Sequence, residues 1–240
     1  MWMQSRIAVI VPAWNEAPRI ARVLRGVPEW VDTVVVVDDA SADGTGEVAR
    51  DVGDPRVEVI RHSSNRGVGA AIATGYRRCA VRCGGPRDAF VVMAGDDQMD
   101  PADLPTVVTP IARGDADYVK GDRFRGPDAA RAMPALRRVG GRAFSWATSI
   151  AIGVPVSDSQ CGYTAIAREA CVQLDLEDLW PRYGYPNDLL SQLALRGLRI
   201  AEVPVRAVYA DEVSRLRARH LPRVAALVAQ AWVRRLRGGS

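Results

Sequence analysis

The sequence predicts an α/β fold with a mostly parallel central sheet flanked by helices. Three observations carry that expectation. Over the first hundred residues, β-branched apolar runs alternate with stretches of helical periodicity, the mark of βαβ units with right-handed crossovers. No internal repeat and no Ser- or Gly-rich linker divides the 240 residues, so one main domain is expected. Each apolar run ends in polar residues, where an open parallel sheet collects its ligands.

Strands are expected at Ile7–Val11, Thr33–Val37, Val57–Ile60 and Ala89–Met93, with helices at 17–26, 44–52 and 68–82 between them. The second helix opens at Ser41-Ala42-Asp43-Gly44-Thr45, small polar residues that suit a turn and an N-cap. Beyond residue 114 the alternation loosens. Asp117–Lys120 and Ile200–Val205 read as strands and 134–151, 186–197 and 214–236 as helices, while the Gly-, Pro-, Asp- and Arg-rich stretch 122–133 reads as a mobile loop. The domain is expected over 1–212, followed by a basic helical tail at 213–240.

At 48% hydrophobic residues the chain can bury a sizeable core, which excludes disorder as its main state. Its longest apolar candidate, Val224 to Val233, is about half the ~18 residues of a spanning helix. Met1 to Gln4 lacks the basic segment and apolar run of a secretory signal, so a cytoplasmic protein is expected. Cys79, Cys83, Cys161 and Cys171 form no C-x-x-C pair, and only His62 and His220 could join them; reduced thiols are expected rather than zinc. The net charge of +4 divides unevenly: residues 1–212 carry −3 and residues 213–240 carry +7, with no acid in the tail. Basic charge collected at one end does not make a nucleic-acid face.

The ends of the first four strands read Pro12-Ala13-Trp14-Asn15-Glu16, Asp38-Asp39-Ala40-Ser41, Asn65-Arg66-Gly67 and Gly95-Asp96-Asp97-Gln98. One such acid is ordinary turn chemistry, but four polar loops at one sheet edge point to a site. No G-x-x-x-x-G-K-[ST] loop exists, and Gly67-Val68-Gly69 follows the third strand without a third glycine, which argues against a P-loop NTPase and against NAD. Acidic groups after the second strand suit a base or ribose. Those after the fourth suit a hard cation, magnesium or manganese, held by Asp96 with Gln98 and by a substrate diphosphate.

The ordered segments V-P-A-W-N-E at 11–16, V-D-D-A-S-A-D-G-T at 37–45, N-R-G-V-G-A-A at 65–71 and G-D-D-Q-M-D-P at 95–101 resemble the inverting, nucleotide-sugar-dependent family 2 glycosyltransferases of GT-A fold. Lys120–Phe124, Ser157–Tyr163 and Glu202–Val205 extend the likeness over residues 6–216, in an order similar to the dolichol- or polyprenyl-phosphate hexosyltransferase branch. The resemblance implies that Pro12, Ala13, Asn15 and Glu16 line the nucleotide pocket with Arg66, Gly67 and Asp97, and that Asp39 or Asp38 contacts base or ribose. It implies a metal at Asp96 and Gln98, a catalytic part for Arg123, and basic groups for diphosphate or acceptor phosphate at Arg138, Arg142 and Arg215. Ala94 stands where the family's D-x-D has its first acid, so the metal must rest on Asp96 with Gln98 or Asp97.

Two acceptors stay open. A polyprenyl phosphate arrives ionised and needs no base. A saccharide or lipid hydroxyl needs one, and Asp188, in the family's base-bearing position, and Asp158 are the candidates. Asp188 reads equally well as a helix N-terminal acid, and Trp14 as base-stacking or as packing. A nucleotide-sugar binding module without turnover is the third reading. For the tail, a peripheral contact with the cytoplasmic face of a membrane and simple packing on the domain weigh evenly, and Pro222 argues against one unbroken helix.

Overall fold

The computed structural model describes residues 1–126, 135–206 and 221–238. The elements are β1 (Ile7–Ala13), α1 (Ala17–Gly26), β2 (Thr33–Asp38), α2 (Thr45–Asp51), β3 (Val57–Arg61), α3 (Val68–Arg82) and β4 (Ala89–Val92), followed by a 3-10 turn at Pro101–Asp103. Then come α4 (Leu104–Arg113), β5 (Tyr118–Asp122), α5 (Ala135–Ile152), β6 (Thr164–Ala167), α6 (Arg168–Cys171), α7 (Tyr185–Leu195), β7 (Ile200–Pro204) and α8 (Leu221–Gly238).

The strands form one sheet in the order β3-β2-β1-β4-β6-β5-β7. All run parallel except β6, which is antiparallel to both β4 and β5. All seven residues of β1 are buried, as helices on both faces of a sheet require. Small residues bring α3 onto that sheet: a Cβ on Gly75 would run into the Ile10 side chain, and Tyr76 beside it is fully buried. Pro18 suits the first turn of α1, whose Ile20, Val23 and Leu24 face the core, and the extended Val27 before Pro28 ends it.

Sequence and structure part in the second half. The antiparallel β6 was not expected, because four residues entered from a polar loop carry too little periodicity to read. The helix α4 was also missed. Pro105 in its first turn is favourable, but Pro110 inside it breaks the usual pattern, although Leu104, Val107, Val108 and Ile111 still bury one stripe. The described part of the tail is one helix, since Pro222 falls in the first turn of α8. Leu227 and Ala231 are buried where α8 packs against α5 and α7. The expected domain boundary at 212 and most of the expected loop at 122–133 lie outside the described residues.

Candidate active site

The topology sends the C-terminal ends of β1, β2, β3, β4 and β5 to one edge of the sheet. Because β6 runs the other way, the segment that enters it, Ser157–Tyr163, is delivered to that same edge. Backbone bonds knit the loops there: the Ala13 carbonyl accepts the Asp39 N–H at 2.9 Å and the Pro12 carbonyl accepts the Gly95 N–H at 3.1 Å. Asn15, Ala40 and Asp97 hold left-handed backbone, with φ of 55°, 60° and 64°. Each such conformation costs about 1 kcal/mol or more for an L-residue, and three together at strand ends mark a built site.

Polar side chains fix the loops in place. Asn15 donates its N–H to Ser41 Oγ at 2.9 Å and accepts the Ala42 N–H at 2.9 Å through Oδ1, while the Glu16 N–H reaches Thr45 Oγ1 at 2.8 Å. Glu16 is buried, with Arg19 at 3.1 Å. Trp14 is 44% exposed, so it does not fill the core.

Asp38 and Asp39 are both shut off from solvent. Asp38 accepts the Ser41 N–H at 2.8 Å and pairs with Arg61 at 3.1 Å. Asp39 accepts the Arg66 and Gly67 N–H groups at 2.8 and 2.7 Å and meets His62 Nδ1 at 2.7 Å, while His62 Nε2 meets Thr74 Oγ1 at 3.0 Å. Their side chains therefore shape the 39–41 and 65–67 loops, leaving the exposed Arg66 guanidinium on the rim. Gly67 has φ of 100°, and a Cβ there would lie 2.5 Å from the Pro181 carbonyl oxygen. A Cβ on Gly69 would likewise strike the Trp180 carbonyl, so 180–182 closes over this turn.

At the end of β4, the half-buried Asp96 accepts the Gln98 N–H through Oδ1 at 3.2 Å, which holds both side chains on one short turn. Asp97 is turned to Arg22 of α1 at 2.5 Å. A carboxylate and an amide oxygen fit magnesium or manganese that takes its remaining ligands from water and a diphosphate. Among the described residues no group of three His, Cys, Asp or Glu side chains forms a self-sufficient metal cage. The four cysteines are free and buried, and burial pushes the Cys171 thiol up to about 12, so they are inert.

Facing this edge is a cluster of ions. Arg123 grips Asp158 through Nε at 2.8 Å and Nη2 at 3.0 Å, and its N–H adds a third bond at 3.2 Å. Burial opposes the Asp158 charge, yet the Arg123 bonds and the charges of Arg123 and Lys120 outweigh it and hold the carboxyl below the usual range. Glu202 accepts the N–H groups of Ser157 at 2.8 Å and Asp158 at 3.1 Å, fixing the loop from β7. Lys120, fully buried, donates to the Cys161 carbonyl at 2.6 Å, and burial lowers its pKa. Arg142 lies over the Phe124 ring at 5.7 Å, one residue beyond Arg123, and Arg138 stands one turn earlier on α5.

On α7, Asn187 accepts from Thr148 Oγ1 of α5 at 3.1 Å, and Gln160 reaches it at 3.4 Å. Asp188 has both oxygens engaged: Oδ2 accepts the Trp180 N–H at 2.8 Å and Oδ1 pairs with Arg234 of α8 at 2.6 Å. Arg215 lies outside the described residues. The structure thus gathers every other expected site residue along one edge or on the helices beside it. Sequence reasoning gave no part to His62, Lys120, Gln160, Asn187 or Glu202. Four of these five stand inside or beside recognised segments, but their service is to hold other residues, which no spacing reveals.

The description of Glycosyl transferase family 2 matches residues 8–171. The chain is 30% identical over 220 residues to a UDP-N-acetylglucosamine–dolichyl-phosphate N-acetylglucosaminyltransferase of Methanococcus voltae, covering 85% of this chain and 86% of that protein. It is 33% identical over 214 residues to an undecaprenyl-phosphate mannosyltransferase of Micrococcus luteus, covering 85% and 84%. A solved structure of glucosyl-3-phosphoglycerate synthase from Mycobacterium tuberculosis, in complex with Mn2+, UDP-glucose and phosphoglyceric acid, superposes with a TM-score of 0.69 at 21% identity, over 97% of this chain and 80% of that one. That likeness bears on the fold, which is GT-A. The protein belongs to glycosyl transferase family 2 and is a glycosyltransferase whose relatives include enzymes of the polyprenyl-phosphate hexosyltransferase branch.

Proposed function

We propose that this protein is a metal-dependent, inverting hexosyltransferase that moves a hexose from a UDP- or GDP-sugar to a polyprenyl phosphate at the cytoplasmic face of a membrane. The observation that carries this reading is the state of Asp188. With one oxygen on the Trp180 N–H and the other on Arg234, it is held as an ion-paired anchor of α7 and α8 rather than poised to take a proton. Asp158 is likewise committed to Arg123. An acceptor that arrives ionised, as a phosphate monoester does, needs neither carboxylate as a base.

In this reading an acceptor phosphate oxygen attacks the anomeric carbon, the bond from that carbon to the donor diphosphate breaks, and the nucleoside diphosphate departs. Asn15, Glu16, Arg66 and the loops shaped by Asp38 and Asp39 frame the nucleotide. Asp96 and Gln98 would hold magnesium or manganese, which when bound would supply electrostatic neutralisation of the diphosphate. Arg123, Arg138 and Arg142 offer guanidinium groups, which suit phosphate oxygens because they bind them in a fork.

The test is Asp188→Asn, assayed with polyprenyl phosphate and both nucleotide-sugar classes. Turnover should stay within about threefold of the parent, while the loss of the Arg234 pair lowers stability by about 1–2 kcal/mol. A fall of about 10²–10⁴ in kcat with stability little changed would restore Asp188 as a general base and favour a hydroxyl acceptor.

A further inference from the structure

The helices α5 and α8 carry large apolar side chains that stay exposed among the described residues. On α5 the core takes Ser145, Thr148, Ala151 and Ile152, yet Val139, Trp146 and Ile150 project to solvent, with Trp146 69% exposed. On α8 the core takes Leu227 and Ala231, yet Trp232, Val233 and Leu236 are exposed, Trp232 at 51%. Val139, Trp146 and Ile150 are spaced i, i+7, i+11, which keeps them on one face of α5, and Trp232 and Leu236 are spaced i, i+4 on α8 with Val233 beside them. The Arg235 guanidinium donates to the Ile150 carbonyl at 2.8 Å, so the C-terminal ends of the packed helices lie side by side. Trp146 and Trp232 each stand one turn back in sequence from that contact, near the same ends of the packed helices.

The charges that α5 and α8 themselves carry are of one sign. Neither helix has an acidic residue in its sequence, while α5 carries three arginines and α8 four. Beside Trp232 a shallow hollow of about 340 Å³ has Val233 and Arg237 on its lining. A second copy of the same face would set arginine against arginine, which disfavours a symmetric dimer. Indoles at an apolar strip flanked by guanidinium groups fit the interface of an anionic bilayer, where ring, headgroup phosphate and basic side chain meet. Among the described residues no helix is long and apolar enough to cross a membrane.

We propose that α5 and α8 together form a lipid-docking face for an anionic membrane surface, with Trp146 and Trp232 as its paired anchors. The tail is then half of the device and α5, inside the domain, is the other half. The same helices bring Arg142 and Arg234 to the acceptor edge, so docking sets that edge beside the lipid.

Co-sedimentation of the full chain tests this, using phosphatidylglycerol/phosphatidylcholine vesicles against phosphatidylcholine alone, at low and high salt. Binding should require the anionic lipid and fall with salt. Trp146→Ser with Trp232→Ser, both exposed and checked for an unchanged melting curve, should weaken partitioning at least about tenfold. Arg237→Gln should weaken it about fivefold, the value of one basic residue at an anionic surface. Unchanged binding in the double variant would overturn the proposal. So would a wild-type dimer in sedimentation velocity that the double variant abolishes, since the face would then belong to a second copy. The vesicles hold no polyprenyl lipid, so failed docking and a failed transferase assignment are separate results.

Discussion

The two sides of the site hold their charges in different ways. Along the β1, β2 and β3 ends, carboxylates are locked largely by backbone amides: Asp39 takes two N–H groups and an imidazole, and Asp38 takes an amide and one arginine. Across the edge, Asp158 and Asp188 are locked by guanidinium groups, from Arg123 and Arg234. An amide cage keeps one shape. A guanidinium can exchange a carboxylate for a phosphate oxygen with little change in geometry. In the proposed reading the donor side is therefore preorganised, and the acceptor side is built from ion pairs that an anionic substrate would compete for.

The largest expected effect falls between the two sides. Asp96→Ala should lower kcat by at least about 10³, the scale of removing the charge stabilisation at a leaving group, with an unchanged far-UV spectrum. It should also abolish any metal-dependent thermal shift by UDP or GDP. Retained turnover would remove the metal assignment, and donor binding without transfer or hydrolysis in the parent would favour a binding module.

Next come paired carboxylates that break or sharpen the contrast. Asp158→Asn should cost about 10² in kcat, because Arg123 loses its orienting partner at a site where misplacement is expensive. Asp39→Asn should instead act on stability and donor affinity, by about 1–3 kcal/mol, because buried amides lose their acceptor. Equal effects from both, in turnover and melting temperature, would erase the distinction. Gly67→Ala should follow with about 1–3 kcal/mol of destabilisation from its left-handed backbone and the Pro181 carbonyl, read by chemical denaturation.

The smallest effect lies at the opposite edge. There Asp117 bonds Arg199 at 2.8 Å and Arg87 at 3.3 Å, tying the starts of β5 and β7 to the turn before β4. The Arg199 bonds, against the opposing effect of burial, hold its carboxyl at about 2. A depressed folded value stabilises above the unfolded pKa and is lost as pH falls through the folded one, so the window runs from about pH 4 down to about 2. With a half-exposed Arg199 screened by solvent, Asp117→Asn should remove only about 1 kcal/mol at neutral pH, flatten the acid limb of a stability–pH curve, and leave kcat unchanged.

The same contrast explains what the sequence made legible. The strands β1 to β4 and their polar ends could be read because parallel βαβ units repeat, and because Asn15, Asp39 and Asp96 fall just after apolar runs. The acceptor side could not be assembled from spacing. Its site depends on a four-residue antiparallel strand that turns Asp158 toward Arg123, and on partners as distant as Asp188 and Arg234. Asp188 illustrates the limit: its place in the sequence suits a base or a helix N-terminal acid, and only the fold reveals the arginine on it.

The proposed acceptor is tested by offering one chain in two forms, a polyprenyl phosphate and the corresponding polyprenol, with UDP- and GDP-hexoses and magnesium or manganese. A lipid-linked hexose should form with the phosphate and none with the alcohol. Transfer to the alcohol or to a saccharide hydroxyl, with the phosphate inert, would contradict it.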